Sequence, residues 1–220
     1  MKNILRIVIT GGPCAGKTTA LKYVRGILED YGYEVITSEE TAMFLIRANL
    51  IPKSDKGGNI DLHEFQKLIL DVQLTKEDLL FEAAENIYSD KVAVILDRGI
   101  LDNRAYIPHE EFQELIDQKG ITIDDILSRY DLIIHLVSTA KDKPEAYSKG
   151  NEGRLESLDE AIIVEDNTMN AWPESENKYI ITNDCDFEEK LRRIREVITS
   201  YLKERDNSKE ERGKRLIKRL

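Results

Sequence analysis

Apolar residues in this chain fall into two alternating kinds of segment. Ile4-Leu5-Arg6-Ile7-Val8-Ile9-Thr10 is a mostly apolar, β-branched run, as expected of a strand buried on both faces. From Thr19 the pattern changes to helical spacing, and Tyr31-Gly32 then turns the chain into a second strand, Tyr33–Thr37. A helix is predicted near Glu40 to Asn49, stopping at Pro52. The stretch 53–59 is polar and glycine-rich and reads as a mobile loop. A long amphipathic helix follows from about Leu62 to Tyr88. Val92–Leu96 forms the third strand, ending at Asp97, and an irregular helical stretch broken at Pro108 and Gly120 comes next. Leu132–Val137 and Lys178–Thr182 are the fourth and fifth strands, with a last helix beginning near Asp186. This alternation predicts an α/β fold, a five-stranded parallel sheet with helices on both faces. Ligands then bind beyond the carboxyl ends of the strands.

The residues at that edge carry the chemistry. Gly11-Gly12-Pro13-Cys14-Ala15-Gly16-Lys17-Thr18 fits G-x-x-x-x-G-K-[ST], the phosphate-binding loop, and Thr19 continues it into the helix. Glycines let the backbone wrap phosphate oxygens with its N–H groups, and the helix dipole lies beneath the same oxygens. Lys17 then reaches the β/γ oxygens, and the Thr18 hydroxyl can hold Mg²⁺. Asp97, after an apolar strand, has the arrangement of a carboxylate approaching Mg²⁺ or its waters; a strand-end cap is the competing reading. Arg98 suits bidentate phosphate contact or an ordinary ion pair. Glu39 and Glu40 follow the second strand; Glu40 is the favoured candidate to orient an acceptor hydroxyl, against a simple helix-dipole role for both. Arg154, in a polar segment before a Ser157/Glu160 capping box, suits a lid arginine or a solvated charge. Asn183 and Asp186 have the N-x-x-D spacing of a guanine reader, but Asp184 stands where lysine is needed. Asp186 with Glu189 also makes a helix cap, which the sequence favours.

Composition narrows the class. The 220 residues allow one sizeable core with a lid, and the net charge of -10 argues against general nucleic-acid binding. Cys14 lies inside the phosphate loop, so it and Cys185 are expected as thiols in a cytoplasmic protein. No apolar run approaches the roughly 20 residues a membrane span needs. Residues 1–202 are expected as the nucleotide-binding domain, and 203–220 as a charged helix or tail able to contact a protein partner; a membrane contact there is disfavoured. Structural roles are expected for His63, His109 and His135, and Trp172-Pro173 is expected to end a helix.

Taken together, the phosphate loop, Leu96-Asp97-Arg98-Gly99, Leu101–Tyr106, His135-Leu136-Val137 with Thr139-Ala140, Arg154 with Glu156-Ser157, and Asn183–Lys190 resemble the NadR-like AAA-domain P-loop proteins. That group includes ribosylnicotinamide kinase domains and TRPL-translocation-defect proteins. The resemblance implies a nucleotide-kinase-like P-loop fold with a small helical lid, Mg²⁺ and ATP or GTP as cofactors, and roles for Glu40, Asp97, Arg98 and Arg154. It implies either a phosphotransferase acting on a small hydroxyl acceptor, such as a nucleoside, or a nucleotide-dependent switch.

Overall fold

The computed structural model describes residues 2, 4–55, 57–142, 147, 157–173 and 175–217, with no side-chain description for 142 and 208–217. The strands are β1 (Leu5–Thr10), β2 (Glu34–Ser38), β3 (Val92–Asp97), β4 (Leu132–Leu136) and β5 (Lys178–Ile181). They form one sheet in the order β2-β3-β1-β4-β5, and every neighbouring pair is parallel. Each crossover therefore carries helix. The helices are α1 (Lys17–Asp30), α2 (Thr41–Arg47), α3 (Leu62–Asn86), α4 (His109–Asp117), α5 (Ile123–Leu127), α6 (Thr139–Asp142), α7 (Leu158–Ala171) and α8 (Phe187–Ile217). A 3-10 helix spans Ile100–Ala105 directly after β3.

Because β1 is central, both of its faces are covered, and period-two alternation sorts its side chains between two cores. Leu5, Ile7 and Ile9 join Ala93, Ile95, Ile134 and Leu136 beneath α1 and α8. Val8 joins Val94, Leu96 and Ile133 on the opposite face, against α3, the 3-10 helix, α4 and α5, with Trp172 from the end of α7. On this second face the register pairs Thr10 of β1 with His135 of β4. Both are fully buried polar residues at the carboxyl edge.

Helix termini follow the sequence closely. Asp61 accepts the His63 N–H at the start of α3, and Ser157 with Glu160 closes a capping box at the start of α7. Asp186 accepts the Glu189 N–H at 2.8 Å as α8 begins. The polar stretch 53–59, expected as a loose loop, is instead tied at its base. Asn59 Oδ1 accepts the Ile51 N–H at 2.9 Å, its Nδ2 donates to Asn49 O at 2.7 Å, and Lys53 N–H pairs with Ile60 O. The asparagine side chain thus adds to backbone pairs, Ser54 with Gly57 and Ile51 with Asn59 and Ile60, that close the turn. The last helix continues unbroken from Phe187 through the charged stretch to Ile217. Among the described residues no helix is long and apolar enough to cross a membrane.

Gly99 fixes how closely the 3-10 helix approaches α7. A Cβ there would lie 2.7 Å from the Trp172 ring and 3.2 Å from Tyr130 Oη. Both rings are buried and stack at 5.6 Å between centroids, so neither can give way cheaply. Gly99→Ala is expected to lower unfolding free energy by about 1–3 kcal/mol through overpacking, read as a shift in urea midpoint without a change in slope.

Candidate nucleotide-binding site

The loop between β1 and α1 is shaped by its backbone angles and held by other elements. Gly11 has φ 138°, and a Cβ there would fall 2.2 Å from Leu136 O. Gly16 has φ 86° and forms the α1 N-cap without a side-chain hydrogen bond, and the first turn contains no acidic residue. The α1 N-terminus is therefore left uncapped, with its N–H groups and positive dipole end facing the loop. Backbone groups of four consecutive loop residues are fixed from outside. Gly12 N–H donates to Glu165 Oε2 at 2.8 Å. Ser138 Oγ donates to Pro13 O, Thr139 Oγ1 to Cys14 O at 3.3 Å, and Lys190 Nζ to Ala15 O at 3.0 Å. Lys17 Nζ folds back onto Gly11 O and Gly12 O, each at 2.9 Å. Thr18 and Thr19 are exposed in the first helical turn. Cys14 and Cys185 are not joined in a disulfide.

A charged cluster faces the loop from the ends of β2 and β3. Arg98, at φ 65°, adopts a left-handed backbone conformation uncommon for a side-chain-bearing residue. Its Nε donates to Glu40 Oε1 at 2.7 Å, its Nη1 to Asp102 Oδ1 at 3.3 Å, and its guanidinium lies 5.9 Å from the Tyr106 ring centroid. Asp102 also accepts from the Thr10 hydroxyl and, at 2.8 Å, from Gly99 N–H. On α3, Gln73 accepts from Thr41 and donates to Glu77 and to Arg98 O. Glu77 is buried between Gln73, Arg129 and Tyr130, and Tyr130 Oη accepts the Ile100 N–H at the start of the 3-10 helix.

Burial sets the protonation behaviour here. It lowers Lys17 to about 8, with Arg98 pushing the same way against Glu40, Asp97 and Asp102. It raises Asp97 to about 6, with Lys17 opposing. Asp97 Oδ1 is buried with no hydrogen-bond partner. Burial also works to raise Glu40, but Arg98 and Lys17 outweigh it and hold this carboxyl below its usual range.

Of the residues singled out in the sequence, the structure gathers 11–19, Glu40, Asp97 and Arg98 around one edge. Glu39 points elsewhere; its carboxylate is largely exposed and meets Arg47. Arg154 and the rest of the expected lid lie outside the described residues. Asn183 is buried next to the loop, its Oδ1 3.4 Å from Lys190 Nζ. Asp184 is bound to Thr182 and Arg193, and Asp186 caps α8, so neither has the arrangement of a guanine reader. His135 lies in a core strand as expected, yet its Nε2 meets Glu165 Oε1 at 2.8 Å.

The sequence assigns no individual role to Asp102, Glu165, Lys190 or Gln73, although Asp102 and Lys190 lie in stretches that carry the family resemblance and Glu165, Gln73 and Lys190 carry a readable signal. Glu165 occupies the buried stripe of α7 with Ala161, Thr168 and Ala171. Gln73 shares the buried face of α3 with Phe65, Ile69 and Leu70. Lys190 heads a stripe of buried residues four apart, Ile194, Ile198 and Leu202. A polar residue in the apolar stripe of a helix marks a buried partner.

The parallel sheet, the glycine-rich loop entering α1 and the acidic end of β3 define a P-loop nucleotide-binding protein with a nucleotide-kinase-like fold. A family model described as an AAA domain matches residues 6–190, and the chain belongs to that family. Among solved structures it is similar to a deoxyadenosine kinase from M. mycoides with bound dATP, at 15% identity and a TM-score of 0.54, covering 89% of this chain and 100% of that one. It is also similar to a thymidylate kinase from Candida albicans, at 18% identity and a TM-score of 0.62, covering 89% and 91%. At these identities the likeness is one of fold. No curated protein matches.

Bound polyphosphate favours the charged form of Lys17, whose unliganded value is about 8. Binding therefore takes up a proton above that pH, and affinity is lost as pH rises through it. The nucleotide Kd should be flat in this respect below pH 8 and then rise by up to about tenfold per pH unit. Calorimetric titration from pH 6.5 to 9.5 measures this, and Lys17→Met should bind weakly without the alkaline step.

Proposed function

We propose that the protein is a Mg²⁺-dependent phosphotransferase that moves the γ-phosphoryl group of ATP or GTP to the hydroxyl of a nucleoside-like or other small acceptor. The observation that carries this reading is the Glu40–Arg98 pair. An ionised carboxylate and a guanidinium are held together at 2.7 Å, across from Lys17 and the phosphate loop. Besides compensating the buried guanidinium, this carboxylate stands on the side from which an acceptor hydroxyl would approach, which favours a phosphotransferase over a protein that only binds nucleotide. The resemblance to ribosylnicotinamide kinase domains and the kinase-like fold both support an acceptor of this type.

In this reading the loop amides and Lys17 hold the β- and γ-phosphates. The half-exposed Phe187, whose ring lies 3.5 Å from the Cβ position of Gly16, and Asn183 border the nucleobase. Glu40 accepts a hydrogen bond from the acceptor hydroxyl. Because its carboxyl is held below the usual range, it is a weak base, so orientation comes first and the proton passes as the new P–O bond forms. The β–γ bridging P–O bond breaks and the nucleoside diphosphate leaves. Arg98, and Arg154 if the lid delivers it, balance charge on the transferring group.

The residues present fit Mg²⁺. Asp97 offers a buried carboxylate oxygen without a partner, and Thr18 an exposed hydroxyl. Among the described residues no group of three or more His, Cys, Asp or Glu is arranged for a metal. An ion here would take one or two protein oxygens and complete its shell with phosphate and water, as Mg²⁺ does. When bound, it supplies neutralisation of phosphate charge.

The test follows the γ-phosphate from labelled ATP and GTP across a panel of nucleosides, nucleotides and ribosylnicotinamide. Label on one acceptor is expected; label only in inorganic phosphate would favour a nucleotide switch instead. Glu40→Gln should reduce transfer about 10²- to 10⁴-fold while changing nucleotide Kd little. A proton competes with Mg²⁺ for Asp97, whose carboxyl titrates at about 6. The Mg²⁺ concentration needed for half-maximal transfer should therefore rise as pH falls below about 6, and Asp97→Asn should reduce that dependence to the part contributed by protonation of the nucleotide's terminal phosphate.

A further inference from the structure

His135 and Glu165 form a fully buried pair outside the charged cluster, and it grips the phosphate loop. Glu165 Oε1 meets His135 Nε2 at 2.8 Å, and Oε2 accepts the Gly12 N–H at 2.8 Å. Burial alone would raise Glu165, but His135 and the Gly12 N–H outweigh it and keep the carboxyl below its usual range. His135 Nδ1 is buried with no partner. A bare ring lone pair costs less there than a bare N–H, so the ring is assigned as the Nε2–H tautomer, donating to Glu165.

The contact is close. A Cβ on Gly12 would lie 2.6 Å from Glu165 Oε2 and 3.0 Å from Glu165 Cα, so α7 rests directly on the loop. The same helix holds the other half of the site. Asn167 Nδ2 donates to Ala105 O at 3.3 Å, and Arg104 Nη1 donates to Ala171 O at 2.8 Å, joining α7 to the 3-10 helix that carries Asp102. Its N-cap, Ser157, stands three residues after Arg154.

We propose that Glu165 is a positioning residue. With His135 it sets the Gly12 peptide, and so makes the phosphate-binding shape of the loop depend on the placement of α7. This rests on the reading that the loop binds a nucleoside polyphosphate.

Glu165→Gln keeps the packing but offers one acceptor oxygen where two N–H groups, from Gly12 and His135, converge. The experiment compares Kd for Mg–ATP and for inorganic tripolyphosphate in wild type and variant, with the His135 ring read by ¹⁵N NMR. The variant is expected to lose about tenfold or more in both affinities by the same factor, since the base plays no part. The ring signal should shift from the Nε2–H pattern. Unchanged affinities in a folded variant would overturn the proposal, as would a loss confined to ATP. If Glu165→Gln does not fold, His135→Asn, which withdraws the ring N–H and leaves the carboxylate in place, should give a smaller but equal loss for both ligands; no loss would overturn it. Wild-type protein that binds neither ligand would instead refute the nucleotide reading on which the proposal stands.

Discussion

A phosphate loop can present its amides to an anion only if other groups occupy its remaining backbone positions. Here that condition is met by side chains from β4's continuation, α7 and α8, which take Gly12 N–H and the carbonyls of Pro13, Cys14 and Ala15 in turn. Each of those contacts is local in space and remote in sequence. The parallel register makes them possible by bringing the ends of β1 and β4 side by side. Thr10 and His135, paired across that register, each hold a buried carboxylate, Asp102 and Glu165. One of these carboxylates organises Arg98, and the other organises Gly12.

The electrostatics follow from the same arrangement. Arg98 is largely buried, and removing a charge from water is tolerable only with close partners. Glu40 and Asp102 provide them from two different elements, and the strained backbone at Arg98 is the conformation that lets one guanidinium reach both. Lys17 and Asp97, less well compensated, are the groups whose charge states shift towards neutrality. These two groups lie where polyphosphate would bind, as expected when burial precedes the arrival of ligand charge.

Strands, helix caps and the loop motif were readable along the chain because each depends on neighbouring residues. Ser157 with Glu160 and Asp186 with Glu189 lie three positions apart and cap as their spacing predicts. Asp97 and Arg98 could be placed because a parallel sheet has one functional edge. Asp102 and Glu165 could not, since their partners Thr10 and Gly12 lie 92 and 153 positions away and are brought near only by register and packing. Asn59 shows the limit at shorter range: a glycine-rich composition suggests looseness, while an amide side chain and backbone pairs close the turn.

Lys190 joins the end of the matched family region to its beginning, through a hydrogen bond spanning 175 positions to Ala15 O. A contact of such separation depends on the intervening chain being folded, because closing so long a loop costs entropy that one hydrogen bond does not offset. Within the domain β1 and α1 precede α8 by most of its length, yet the cradle between them is complete only once the start of α8 is in place. Chains shorter than that would carry the motif without its finished shape. The finished shape of the loop is thus a property of the whole domain and not of the motif that marks it.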